Sequence, residues 1–213
     1  MKNSISKSRL AIILSQLKGF YSPKVGQEQY LMDSEIAAFT IWNAYLLRDI
    51  EGKVIADLGC GTGILGIGAL LLRAKYVFFV DYDKKALETA KNNILNVKSE
   101  GYKLGKSEFI CQNIDKLGVK TDIVLQNPPF GTKLRHSDII FLKKAIETAP
   151  VVYSFHKSET KSFLRQFADK NNAKITHIWD FKFPLKATFI FHRRKIHRIS
   201  VSCFRFERKN KYF

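Results

Sequence analysis

From residue 53 onward the chain alternates between two kinds of hydrophobic pattern. Short continuous apolar runs, such as Val54–Leu58 and Tyr76–Val80, read as strands buried on both faces. Between them the apolar residues fall three or four apart, as in Ile64, Leu65, Ile67, Leu71 and Leu72, which reads as a helix. A second helix carries Ala86, Leu87, Ala90 and Ile94 on one face, with Asp83 placed to cap its first turn. Further strands are predicted over 108–113, 122–126, 150–155, 175–182 and 199–206. Helices are predicted over 138–148, capped by Ser137 or Asp138, and over 159–170, capped by Ser158. A helix over 34–47 precedes the first strand, and no clear helix separates the last two strands, which predicts an antiparallel pair at the end of the sheet. Alternating strands and helices predict an α/β fold whose mostly parallel sheet is covered on both faces. With 213 residues and no internal repeat, one domain is expected over 1–213, with residues 1–50 a helical extension packing on the core.

Composition changes this picture at three points. Lys2, Lys7 and Arg9 precede Leu10–Leu14, an apolar run too short for a secretion signal and without a small-residue cleavage site after it. It reads as an extra, basic amphipathic N-terminal helix of a cytoplasmic protein. Cys60, Cys111 and Cys203 are far apart and lack metal-ligand spacing, so no metal is expected and the three read as small buried thiols in a reducing compartment. The net charge of +17 favours a polyanionic partner. Residues 182–213 carry ten Lys or Arg and one acid, whereas 51–130 carry eleven bases and nine acids, so the excess lies towards the C-terminus.

Asp57-Leu58-Gly59-Cys60-Gly61-Thr62-Gly63 closes the first strand and opens a helix. Glycines there let the backbone turn sharply and approach a ligand closely. Asp81 ends the next strand, where a carboxylate can accept both hydroxyls of a ribose. Gly61, Gly63 and Gly66 also match the dinucleotide pattern G-x-G-x-x-G, with Asp81 at suitable spacing. Asp57 argues against that rival, since a carboxylate at the loop entry suits the aminoacyl end of S-adenosylmethionine and is badly placed beside a pyrophosphate. A structural glycine turn is the remaining alternative.

The second motif has no role in hydride transfer. The strand over 122–126 runs into Asn127-Pro128-Pro129-Phe130, then Gly131-Thr132-Lys133. The exocyclic amine of adenine is a poor nucleophile because its lone pair is conjugated into the ring. Hydrogen bonds to the Asn127 oxygen and the Pro128 carbonyl would pull that nitrogen towards a tetrahedral shape and free the lone pair for attack on a sulfonium methyl group. Prolines fix φ and hold the carbonyl in place. Phe130 offers a face for a flipped-out base. A proline-rich turn with Phe130 in the core is the structural alternative.

The chain resembles the class I S-adenosylmethionine-dependent methyltransferases with an Asn-Pro-Pro-aromatic motif. Within them it is most similar to the methyltransferase-like-five family, archaeal and eukaryotic enzymes that make N6-methyladenosine in small-subunit ribosomal RNA. The resemblance runs over about residues 27–206, carried by Glu28-Gln29-Tyr30, Asp57–Gly63, Asn127–Lys133 and Val152–Ser158. It implies a Rossmann-like seven-stranded sheet with an antiparallel last strand. It implies that Gln29 and Tyr30 fold over S-adenosylmethionine, that Asp57, Gly59, Gly61, Gly63, Asp81 and Asn113 bind it, and that Asn127, Pro128, Pro129 and Phe130 form the acceptor site. A small zinc-containing activator protein at the sheet edge is a further implied partner. The chain departs from the family at Asn113, where an Asp is usual, and at Leu31-Met32-Asp33, where a small residue, Thr and Arg are usual; Asp33 reads instead as a helix cap.

His156 and Lys157 follow a strand into the expected crevice. The proposed chemistry needs no general base, so a structural or RNA-phosphate role is expected of them. Arg193, Arg194, Lys195 and Arg198, with His192 and His197 and interleaved with Phe189 and Phe191, read as an RNA-backbone contact or as a solvated loop. Two other functions fit less well. A glutamine methyltransferase acting on a release factor faces the same conjugation problem but needs no basic excess, and a non-catalytic RNA-binding factor needs no Asn-Pro-Pro-Phe motif.

Overall fold

The computed structural model describes residues 5–20, 31–129, 137–185 and 197–209. Two helices, α1 (Lys7–Ser15) and α2 (Ser34–Leu46), precede the first strand. Then come β1 (Val54–Leu58), α3 (Ile64–Leu71), β2 (Tyr76–Asp81), α4 (Lys84–Ser99), β3 (Lys106–Cys111) and β4 (Ile123–Gln126). The chain continues with α5 (Ser137–Thr148), β5 (Val151–Lys157), α6 (Lys161–Lys170), β6 (Ala173–Leu185) and β7 (His197–Arg208). One seven-stranded sheet results, in the order β3-β2-β1-β4-β5-β7-β6. Only β7 runs against the rest, antiparallel to both β5 and β6.

Burial on two faces explains the unbroken apolar strands. Ile55, Val77, Phe79, Ile123, Leu125, Tyr153 and Phe155 join one core with α1, α2, α3 and α4. Their neighbours Ala56, Leu58, Val80, Val124 and Val152 join a second with α5 and α6. Leu10, Ala11, Ile13 and Leu14 of α1 enter the first core. The N-terminal helices are also tied to the far end of the sheet. Asp49, just after α2, accepts from Tyr153 Oη at 2.7 Å and from Arg205 Nε of β7 at 2.8 Å, all three buried.

The chain builds β2 and β3 to one side of β1 and then returns to place β4 on the other. Such a reversal opens a crevice at the carboxyl ends of the strands, the binding place of open α/β sheets. Register aligns its rim, since Leu58 pairs with both Val80 and Gln126. The glycine loop and the Asn-Pro-Pro turn therefore leave adjacent strands at the same level.

Four expectations need correction. Ser158 does not cap α6: residues Ser158–Thr160 form a separate 3-10 turn, and the Ser158 hydroxyl bonds that of Ser202 on β7 at 2.8 Å. Neither Ser137 nor Asp138 stands at the cap position, because α5 begins at Ser137 and both lie in its first turn; the Asp138 carboxylate also lies 3.4 Å from His156 Nδ1. Strand β5 runs on to Lys157 because β7 pairs with it as far as Lys157 opposite Val201, so His156 lies within the strand. Cys111 is exposed, unlike the buried Cys60 and Cys203, because β3 is an edge strand. Asp33 does cap α2, accepting from the N–H groups of Glu35 and Ile36.

Candidate active site

Three glycines of the loop sit at positive φ: Gly59 at 65°, Gly61 at 53° and Gly63 at 88°. Side chains avoid that region, which explains the alternate spacing. Gly63 occupies the cap position of α3, so the free N–H groups of the first helical turn follow directly on the loop. Space is short as well. A Cβ on Gly61 would lie 2.9 Å from the Phe20 ring, and one on Gly66 would lie 2.4 Å from that of Phe79.

Two buried carboxylates brace the loop. Asp57 Oδ2 accepts from Gly66 N–H at 2.8 Å, and Asp81 accepts from Gly61 N–H at 2.9 Å and from Asp83 N–H at 2.9 Å. Burial pushes the Asp57 carboxyl up to about 7, with the charge of Asp81 adding to the rise and the Gly66 bond opposing it. Asp81 is likewise raised by burial, less the pull of its backbone partners. Two buried carboxylates, one raised by the charge of the other, favour a cationic ligand whose charge would offset that repulsion.

Asn93, which the sequence reading did not single out, supports the glycine loop. It is fully buried on α4, and its side-chain nitrogen donates to the Thr62 carbonyl in the glycine loop and to the Lys18 carbonyl, each at 3.0 Å. Its oxygen accepts from Lys18 N–H at 2.9 Å. The stretch after α1 is thereby clamped onto the loop, with Phe20 against Gly61. An Asn three residues after Ala90 on an otherwise apolar face was the available signal.

At the end of β4, Asn127 is half-buried and its Oδ1 is buried without a hydrogen-bond partner among the described residues. A buried acceptor left unpaired costs about 1–3 kcal/mol, so a matching donor is expected. Pro128 is buried beside it. Asn113 is exposed beyond the end of β3, and its side chain caps nothing. The crevice thus gathers Asp57, Gly59, Gly61, Gly63, Asp81, Asn113, Asn127, Pro128 and Pro129 at the ends of four neighbouring strands. Gln29, Tyr30 and Phe130 lie outside the described residues, as do the loop residues 131–133 and the basic positions 192–195.

His156 is fully buried, which overturns an RNA-phosphate role for it. Its Nε2 lies 2.7 Å from Ser154 Oγ and its Nδ1 lies 3.4 Å from Asp138 Oδ2. Ser154 Oγ also accepts from Gln126 Nε2 at 2.9 Å. Burial lowers the His156 pKa below its usual value, against the opposing pull of Asp138. Lys157 is half-exposed and 3.9 Å from Glu159. Part of the C-terminal basic excess also forms bonds within the protein. Arg205 bonds Asp49, Thr176 and Glu207, Arg208 donates to the Ile146 carbonyl, and Lys209 pairs with Asp169.

Residues 43–153 match the family described as methyltransferase small domain. An uncharacterized protein of Methanocaldococcus jannaschii is 37% identical, over 96% of this chain and 95% of that one. The rRNA N(6)-adenosine-methyltransferase METTL5 of Danio rerio is 36% identical, over 91% of this chain and 94% of that one. Among solved structures, that of a candidate RNA methyltransferase from Pyrococcus horikoshii is 42% identical, with a TM-score of 0.88 over 97% of this chain and 100% of the other.

Proposed function

The chain belongs to the methyltransferase small domain family, and from that premise we propose that it uses S-adenosylmethionine to methylate the exocyclic N6 amine of adenine in ribosomal RNA. The observation that carries this reading is the Asn127 Oδ1, a buried acceptor without a described partner at the switch point of the sheet. Such an atom fits an amine that brings its own N–H groups.

The residues present suit the cofactor. In this reading glycines at positive φ allow the tight turn of the loop, Asp81 would accept the ribose hydroxyls, and the Asp57–Asp81 pair would offset a sulfonium and an ammonium charge. In this reading Gln29 and Tyr30 close over it and Asn113 accepts from its adenine amine. When bound, the cofactor supplies an electrophilic methyl group. The protein's part is to place the acceptor nitrogen. Asn127 Oδ1 and the Pro128 carbonyl accept its two N–H groups, which localises the lone pair. No strong base is needed, because the surplus proton leaves to water after transfer. Pro128 and Pro129 hold the turn rigid, and Phe130 stacks on the base.

Two partners belong to this reading. RNA as substrate is supported by the name of the Danio rerio relative and by the net charge of +17. A small zinc-containing activator would dock along β3, the outermost strand beside the crevice. No helix among the described residues is long and apolar enough to cross a membrane, and work on ribosomal RNA fits the cytoplasm.

The test is methyl transfer to total unmodified ribosomal RNA, with and without the small activator, followed by nucleoside mass spectrometry. N6-methyladenosine is expected from the intact protein, and Asn127→Ala should slow its formation about a hundredfold or more. RNA left unmodified by a protein that still binds the cofactor would sink the reading and direct attention to a protein amide.

A further inference from the structure

The Val152–Ser158 stretch carries the family resemblance, yet the proposed chemistry leaves its central residues unused. We infer that the buried chain Gln126–Ser154–His156–Asp138 is the device that holds the acceptor turn in place, with His156 as its positioning residue. The inference rests on the reading of Asn127 as the acceptor of the substrate amine.

The hydrogen bonds of the chain run in one sense. The Asp138 carboxylate can only accept, so His156 Nδ1 carries the hydrogen that points to it. Burial disfavours the charged ring, and in the neutral tautomer that faces Asp138 with Nδ1–H, Nε2 is bare and accepts from the Ser154 hydroxyl at 2.7 Å. The hydroxyl oxygen then accepts from Gln126 Nε2 at 2.9 Å. This order relates the amide orientation of Gln126, whose Oε1 is buried without a partner among the described residues, to the imidazole tautomer and the Ser154 rotor. Phe204 lies edge-on to the imidazole, with ring centroids 5.9 Å apart, which limits its rotation.

Its placement is specific to the site. Gln126 is the last residue of β4 and is bonded directly to Asn127. Asp138 lies in the first turn of α5. Gln126, directly before Asn127, and Asp138, in the first turn of the next helix, are thereby linked through two side chains of the same strand, β5.

Stability does not require these polar groups. Gln126, Ser154 and His156 are fully buried, and the same face of the sheet is otherwise lined by Val124, Val152 and Phe204. Apolar side chains of similar volume would pack there without the cost of desolvation, and buried polar networks are often replaceable in that way. What an apolar replacement would lose is a single defined geometry. Displacing reacting groups by about 1 Å can lower a rate about a hundredfold, so that geometry is worth a great deal here.

The test compares Asp138→Ala, His156→Leu and His156→Gln with wild type. Glutamine can donate to Asp138 and accept from Ser154, so it keeps the sense of the chain. Single-turnover methyl transfer at saturating cofactor and RNA should fall about tenfold or more in Asp138→Ala and His156→Leu, with cofactor affinity unchanged within about twofold. His156→Gln should stay within about threefold of wild type. A second readout is independent of turnover: the Asn127 side-chain amide resonances, assigned against Asn127→Ala. They should be single in wild type and His156→Gln, and doubled or broadened in Asp138→Ala and His156→Leu. Should His156→Leu fail to fold, Asp138→Ala, altered only at the rim, decides. Unchanged rates and unchanged resonances overturn the inference, as does a parallel loss of rate and cofactor affinity, which would mark a general support of the fold. A wild type that leaves RNA unmethylated defeats the functional reading instead, and the resonances alone then decide the role of the chain.

Discussion

Asp57 shows how far a residue's setting departs from its sequence. The motif places a carboxylate at the entry to the glycine loop, and the fold then buries it against Asp81 and gives it one backbone partner. Its pKa rises to about 7 from 3.8, so the folded state favours the protonated form. This group's contribution to stability is therefore fully present below about pH 4 and is lost as pH rises through about 7. Asp57→Asn, which keeps an acceptor for Gly66, should remove the effect. In denaturant unfolding of the ligand-free protein, the stability of Asp57→Asn relative to wild type should grow by about 1.4 kcal/mol between pH 6 and pH 8. A constant difference across that range would mean that the carboxylate is already ionised. His156 teaches the same lesson. Its motif is visible in the sequence, but its burial and its ties to Ser154 and Asp138 come from strands and a helix that are distant in the chain.

Individual elements were legible where one pattern dominated. Strands β1, β2 and β4 lie where continuous apolar runs predict them, and the caps at Asp33 and Asp83 are made as their position suggests. Boundaries moved where a partner intervened. Pairing with β7 lengthened β5, and the bond between Ser158 and Ser202 shifted the start of α6. The Asp49–Arg205–Tyr153 contact belongs to this scale, because it fastens the end of α2 to β5 and β7. Removing Asp49 leaves Arg205 paired with Glu207 alone and the buried Tyr153 hydroxyl without its acceptor. Asp49→Ala should cost about 1–3 kcal/mol in denaturant unfolding, while the double variant Asp49→Ala, Arg205→Met should recover part of it. If the double variant is no better than the single, the contact contributes through packing and not through charge.

At the scale of the whole molecule, the charge asymmetry needs dividing. Arg205, Arg208 and Lys209 count towards the C-terminal excess but are bonded within the protein. Arg193, Arg194 and Lys195 are three of the four arginines and lysines read from the sequence as a phosphate contact, Arg198 being the fourth. RNA binding measured over a range of salt should show a steep loss of affinity, and replacing those three by Ala should flatten the slope by about two or three units. Arg208→Ala should leave the slope unaltered and lower stability. An unchanged slope in the triple variant would place the RNA track elsewhere on the surface.

The sequence by itself determined the α/β architecture, the order of its elements and the two motifs that frame the crevice. Those features are local: a strand, a glycine turn or an Asn-Pro-Pro run carries its own physical signature in consecutive residues. The tertiary structure decided what depends on residues far apart in the chain. It set Asn93 as the clamp between the N-terminal stretch and the glycine loop, Asp49 opposite Arg205, and His156 between Ser154 and Asp138. A polar side chain bound for the interior looks in sequence like any other polar residue, and only the approach of its partner, along with the loss of water around it, makes it part of a site.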